Sequence, residues 1–240
     1  MKLEKDERLE DLQCGDLKII QNKNLYTFTS DSVILANFIH FKKEYKCVEI
    51  GTGCGIISIL LSSKTKFKNI KAFELQKEMS DLAKRNIRLN NLENKIEIIN
   101  DDIKNFKKYL ENGWADAVFS NPPYMKEKVM NVNSVKAISR HEQNLPVEKL
   151  CMVSAQMLKS GGEFYVVYSA SRSAELIYNL KQNKLEPKTM FFTQNGKGKV
   201  ILIVVKAIKD GKPGVDVLPS LVTNDGDGKY IEELHTKYLR

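Results

Sequence analysis

"KCVEIGTGCGIISILLSS", residues 46–63, is the stretch on which the reading of the whole chain turns. Its first five residues make a short apolar run that reads as a strand. Three glycines follow, Gly51, Gly53 and Gly55, and then eight residues of helical composition. Strand, glycine loop and helix in direct succession form the opening unit of an open α/β sheet, in which ligands sit beyond the C-terminal ends of the strands. Glycines there let the backbone turn sharply and let a ligand come close. A dinucleotide loop needs GxGxxG, with pyrophosphate on the helix N-terminus. Here Ile56 holds the place of the third glycine of that pattern, and Glu49 just ahead would repel phosphate. The acid instead suits a cation, such as the amino group of S-adenosylmethionine (SAM).

Outward from this unit, strand-like and helix-like segments alternate. "IKAFEL" (70–75), "KIEIIN" (95–100), "DAVFSN" (116–121) and "EFYVVYS" (163–169) read as strands. "KEMSDLAKRNIRLNN" (77–91) and "RSAELIYNLKQN" (172–183) read as helices. So does "PVEKLCMVSAQMLKSGG", with Pro146 in its first turn and Gly161 and Gly162 just past its end. "EPKTMFFTQ" and "KVILIVVKAI" close the set as two strands joined by "NGKG", a turn signal. The expected fold class is α/β: a seven-stranded, mostly parallel sheet with an antiparallel edge hairpin and helices on both faces. This arrangement resembles the Rossmann-like SAM methyltransferases. The expected organisation is a single domain over 1–240: an N-terminal hairpin and helix (1–40), a catalytic core (41–208) and a C-terminal extension (209–240). The helix of the first part is expected to be capped near Ser30 or Asp31.

Acids stand at successive strand ends, where such a cavity needs them. Glu74 ends the second core strand and can accept from both ribose hydroxyls. Asp102, after the third, can accept from the adenine amino group, with Asp101 an open alternative. The fourth strand runs into "FSNPPYM" (119–125), where prolines must end it because they cannot donate to a ladder. An NH2 on a ring or carbonyl has a delocalised lone pair and attacks poorly. It improves when both N–H groups donate to fixed acceptors. The Asn121 oxygen is one acceptor and the Pro122 carbonyl the other. Pro122 and Pro123 stiffen the corner, and Tyr124 offers a stacking face worth about 1–3 kcal/mol per base.

Together, Glu49-x-Gly51-x-Gly53-x-Gly55 and Asn121-Pro122-Pro123-Tyr124 resemble the Asn-Pro-Pro-Tyr SAM-dependent N-methyltransferases. That group acts on adenine N6, guanine N2 and glutamine amides. The glutamine enzymes carry a helical domain ahead of the glycine loop, and the segment before it here reads as a hairpin and one helix. "YTFTSDSVILA" (26–36), "SRHEQNLPVEKL" (139–150) and "YIEEL" (230–234) further resemble the bacterial tRNA1(Val) (adenine-37-N6)-methyltransferase family. The resemblance implies SAM as cofactor and the tRNA anticodon loop as partner. It implies that Glu49, Gly51, Thr52, Gly53, Gly55, Glu74 and Asp102 hold SAM, with Phe28, Thr29 and Asp31 over its methionine end. Arg140 and His141 would lie beside the substrate entrance, although a plain polar pair at the start of a helix reads equally well. "TSDSVILA" departs from the family's "SLDAVLLA" with Ser and Ile where Ala and Leu are usual. A different amine acceptor, or a module that binds SAM or RNA without turnover, stays open.

Bulk properties bound these readings. Apolar residues make up 42% of 240, enough for a core. Lys and Arg outnumber Asp and Glu by 38 to 30, which fits a nucleic-acid partner or a plain composition bias. No apolar run approaches the roughly 18 residues of a membrane span. "MKLEKDERLE" reads as no signal peptide, so the expected location is cytoplasmic. Cys14, Cys47, Cys54 and Cys151 show no metal spacing, and with 3 His no metal site is expected. The expected state is a monomer.

Overall fold

The computed structural model describes residues 3–123 and 145–224. An antiparallel hairpin of β1 (Glu7–Asp11) and β2 (Lys18–Asn22) comes first, followed by α1 (Ser30–Phe38). The alternating core then runs β3 (Tyr45–Ile50), α2 (Ile56–Lys64), β4 (Phe67–Glu74), α3 (Lys77–Leu89), β5 (Ile96–Asn100) and β6 (Ala115–Ser120). After it come α4 (Val147–Met157), β7 (Leu158–Ser169), α5 (Ser173–Gln182), β8 (Leu185–Gln194) and β9 (Val200–Lys209).

The sheet order is β8-β9-β7-β6-β3-β4-β5. Neighbours are parallel except β9, which runs antiparallel to both β7 and β8. The seven expected strands are present. Two further two-residue strands, β10 (Asp216–Val217) and β11 (Leu221–Val222), pair in parallel with β8 and make the sheet nine-stranded. They fall in the C-terminal extension and were not expected, because two residues carry no periodicity to read.

Successive side chains of a strand point to opposite faces, and the core divides accordingly. Ala117, Phe119, Tyr165 and Val167 pack with α1, α2 and α3. Val118, Phe164, Val166 and Tyr168 pack with α4 and α5. Burying each large apolar side chain is worth roughly 1.5–3 kcal/mol, so this two-sided sheet is the main source of stability.

Helix α1 starts at Ser30, with Thr29 at the N-cap position in extended conformation and no side-chain bond closing the cap. One local expectation is corrected. Helix α4 ends at Met157, and Gly161 and Gly162 lie inside β7, not at a helix end. Pairing with β6 jumps from Ala115–Leu158 to Ala117–Glu163, so the strand carries a bulge there. Gly161 has φ +76°, and a Cβ on Gly162 would meet Leu158 and the Lys159 carbonyl at 2.9 Å. The glycines serve the bulge.

The N-terminal hairpin docks through α3. Asn86 is fully buried; its Oδ1 accepts from the Ile20 N–H (2.7 Å) and its Nδ2 donates to the carbonyls of Ile20 (3.0 Å) and Cys54 (2.9 Å). One turn on, Asn90 exchanges the same pair of bonds with Lys18 at 2.9 and 2.7 Å. Two amides thus act as a partner strand for β2, and one of them also holds the glycine loop. Arg85 adds a two-pronged pair to Glu7, at 2.5 and 2.8 Å, which holds the Glu7 carboxyl below its ordinary range.

Candidate active site

Strand order reverses between β3 and β6, so a crevice opens at their C-terminal ends. A cavity of about 340 Å³ lies there. Its wall brings together Thr29, Asp31, Gly51, Gly53, Glu74, Asp101, Asp102, Asn121, Pro122 and Pro123. These residues come from five separate stretches of chain, and each was a candidate for the site.

The glycine loop owes its shape to backbone geometry. Gly51, Gly53 and Gly55 have φ of +71°, +58° and +90°, values that favour glycine. The N–H groups of Gly51 and Thr52 both donate to the Phe73 carbonyl, at 2.9 and 3.0 Å, and tie the loop to β4. A Cβ on Gly51 would meet nothing within 4 Å, so this backbone faces open space. Gly55 does different work: a Cβ there would touch Ile59, Ala83 and Ile87, and the residue lets α2 start close to α3.

Glu74 is buried beside the loop. Its Oε2 accepts from the Gly53 N–H and its Oε1 from the Gln76 N–H, both at 2.9 Å. Burial pushes its pKa up, against the pull of those donors. Glu49 sits deeper, 1% exposed and off the cavity wall. One of its oxygens accepts from Thr52 Oγ1 (2.8 Å) and from the Ser58 hydroxyl, so it braces the loop from behind. Burial pushes it up to about 7. Thr52 is consumed in that brace and is likewise off the wall.

The two candidate aspartates have different surroundings. Asp101 accepts from Asn105 (2.7 Å), the Asp102 N–H (2.7 Å), Tyr109 (2.9 Å) and Lys108 (3.3 Å), which hold it down to about 2. Asp102 accepts from the Lys104 N–H at 2.9 Å and caps a 3-10 turn. Asp102 thus keeps more acceptor capacity for a ligand.

At the fourth strand end, Ser120 donates to the Ile50 carbonyl at 2.8 Å and pins β6 to β3 beneath the cavity. Asn121 Nδ2 donates to Ser32 Oγ at 2.8 Å. Phe28 is off the wall and packs on the core; Tyr26, two residues earlier, lines the cavity instead. Tyr124, Arg140 and His141 lie outside the described residues.

Sequence reasoning missed Tyr26, Ile50, Phe73, Leu75, Gln76, Met79, Ile103, Ser120 and Leu145, which complete the wall. Leu75, just past the end of β4 and 46% exposed, gave no signal in the sequence, since single exposed leucines are common. All four cysteines are free and buried. Among the described residues, no cluster of His, Cys, Asp and Glu could hold a metal, and no helix is long and apolar enough to cross a membrane.

The sheet order and the acid-lined cavity at its switch point define a Rossmann-like methyltransferase domain, a class that uses SAM. The chain belongs to the methyltransferase small domain family, whose profile matches residues 27–190. A Bacteroides thetaiotaomicron protein named tRNA1(Val) (adenine(37)-N6)-methyltransferase is 28% identical over 58% of this chain and 57% of its own length. A Porphyromonas gingivalis protein of the same name matches over 52% of its length, so the chain aligns with little more than half of these relatives. With a Cytophaga hutchinsonii protein of that name, identity is 22% over 95% of this chain and 97% of the relative. Among solved structures, M. jannaschii TYW2 in complex with AdoMet superposes with a TM-score of 0.59 at 17% identity, covering 86% of this chain and 87% of that one. A predicted O-methyltransferase from Agrobacterium tumefaciens gives 0.67 at 16% identity, covering 86% and 95%. These last two establish the fold.

Proposed function

We propose that this protein is a SAM-dependent methyltransferase acting on N6 of adenine-37 in tRNA, with valine tRNA the substrate by the names of its relatives. One observation carries the reading: Asn121 and Pro122 share a single cavity wall with Gly51, Gly53 and Glu74.

The residues fit SAM. Gly51 leaves open space where a side chain would stand, and the acids Asp31, Glu74 and Asp102 suit a cationic ligand. Glu74 would accept from the ribose hydroxyls, Asp102 from the adenine amino group, and Leu75 and Ile103 would offer the ring apolar contact. Gly51, Gly53, Thr29 and Asp31 would receive the methionine end, while Glu49, Thr52 and Gly55 shape the loop beneath. When bound, SAM supplies a methyl group on a positively charged sulfur.

The chain's own part is to present the nucleophile. Asn121 Oδ1 and the Pro122 carbonyl each accept one N–H of the adenine amino group and draw its nitrogen toward tetrahedral shape. Pro122 and Pro123 have no N–H to compete. Tyr124 supplies the stacking face in this reading. The nitrogen is cationic after transfer, so its proton leaves to water without a strong base. Positioning of this kind supplies up to about 7–11 kcal/mol. An anticodon-loop base can be splayed out at less cost than a paired one. Arg140, His141 and the basic segment 125–140 would border the tRNA path. The protein would work in the cytoplasm as a monomer.

The test is incubation with labelled SAM and, separately, total tRNA, ribosomal RNA, DNA and release factor, followed by digestion. Label recovered as N6-methyladenosine in tRNA alone is expected. Label confined to another fraction moves the substrate to a different amine, and SAM binding without label in any fraction overturns the enzymatic reading.

A further inference from the structure

A side-chain amide has an accepting end and a donating end, and a half-turn about its last torsion exchanges them. Only the accepting end of Asn121 helps an incoming N–H; the reverse orientation would set donor against donor. In this structure the donating end is the one that meets Ser32. Its Oγ lies 2.8 Å from Asn121 Nδ2 and takes that donor. With Nδ2 engaged on Ser32, Oδ1 is the end left to meet a substrate.

The backbone of Ser32 is itself well held. Ser32 is 5% exposed in the first turn of α1, where its N–H donates to the Thr29 carbonyl at 3.2 Å. Thr29 and Asp31 on either side line the cavity, so this turn is part of the site. From the other side, Ser120 anchors the strand end that carries Asn121 through its 2.8 Å bond to the Ile50 carbonyl. Two serines thus fix one asparagine, one through its backbone and one through its amide. Ser32 also stands where the family pattern quoted above has Ala, so the hydroxyl is a feature of this chain and not of the resemblance.

We infer that Ser32 is a positioning residue that anchors the Asn121 amide through Nδ2 and so holds Oδ1 toward the incoming amino group. The inference rests on the proposed methyltransferase reading and adds to it a residue acting through Asn121.

The experiment compares wild type, Ser32→Ala and Ser32→Thr for turnover on tRNA, SAM affinity and thermal midpoint. Ser32→Ala should lower kcat about tenfold, the size of one lost charge-free hydrogen bond at a site where orientation matters. SAM affinity should stay within twofold and the midpoint should change little. Ser32→Thr, which keeps the hydroxyl, should restore kcat to within about threefold. Should the threonine methyl group lower the midpoint, a second readout replaces it: the Asn121 side-chain NH2 resonance, assigned by its loss in Asn121→Ala, should shift and exchange faster in Ser32→Ala. An unchanged kcat in Ser32→Ala overturns the inference while leaving the methyltransferase reading intact. So does a fall in kcat that matches a fall in stability or SAM affinity. A wild type inactive on every amine substrate overturns both.

Discussion

Replacing Glu49 by Gln should change how stability depends on pH. An ordinary glutamate titrates near 4.5, whereas burial pushes Glu49 up to about 7. Between those values the folded protein still holds a proton that the unfolded chain has released. Stability therefore falls as pH rises through this window, is fullest below the unfolded value, and levels off above the folded one. Each pH unit is worth about 1.4 kcal/mol, so the whole window amounts to about 3 kcal/mol as an order of magnitude. A glutamine oxygen can still accept from Thr52 and Ser58, and the variant carries no charge to bury. Urea unfolding followed by circular dichroism at pH 5, 6, 7 and 8 should show wild type losing stability across the series relative to Glu49→Gln. The variant should be the more stable of the two at pH 8. Parallel curves for the two proteins would mean that the carboxyl does not titrate in this window, and the claim that burial raises it would then be wrong.

Asn86→Ala removes three buried hydrogen bonds and takes this partner from the Ile20 N–H, the Ile20 carbonyl and the Cys54 carbonyl. At about 1–3 kcal/mol per stranded group, urea unfolding should show a loss of about 3 kcal/mol; a loss under about 1 kcal/mol would refute the docking role. Asp102→Asn should weaken SAM binding about tenfold by calorimetry, while Asp101→Asn, whose carboxylate is spent on neighbouring groups, should stay within about threefold. The reverse order would exchange the two assignments.

The central unit was legible because its signals are local. An apolar run, glycines at every second position and a helical segment follow one another without interruption, and the structure places β3, the loop and α2 accordingly. Acids at strand ends were legible because topology alone carries Glu74 and Asp102 to the cavity. What escaped depends on tertiary partners. Asn86 and Asn90 read as polar helix residues, and only the arriving hairpin shows them to be strand surrogates. Glu49 looked like a ligand contact because its position in the motif is next to the loop; its depth below the wall is set by the packing of Thr52 and Ser58 against it. Ser32 read as a departure from a pattern, and its meaning depended on a residue far along the chain. Gly161 and Gly162 follow a helix in sequence but answer to a register shift in the sheet.

The account stands most directly on Asn121→Ala, assayed for methyl transfer to tRNA and for SAM affinity on the same preparation. Loss of a positioned polar group at a reacting centre typically costs about 100-fold or more in rate. Transfer should fall by at least that factor, with the dissociation constant for SAM within about threefold of wild type. A variant that methylates tRNA at the wild-type rate would contradict it.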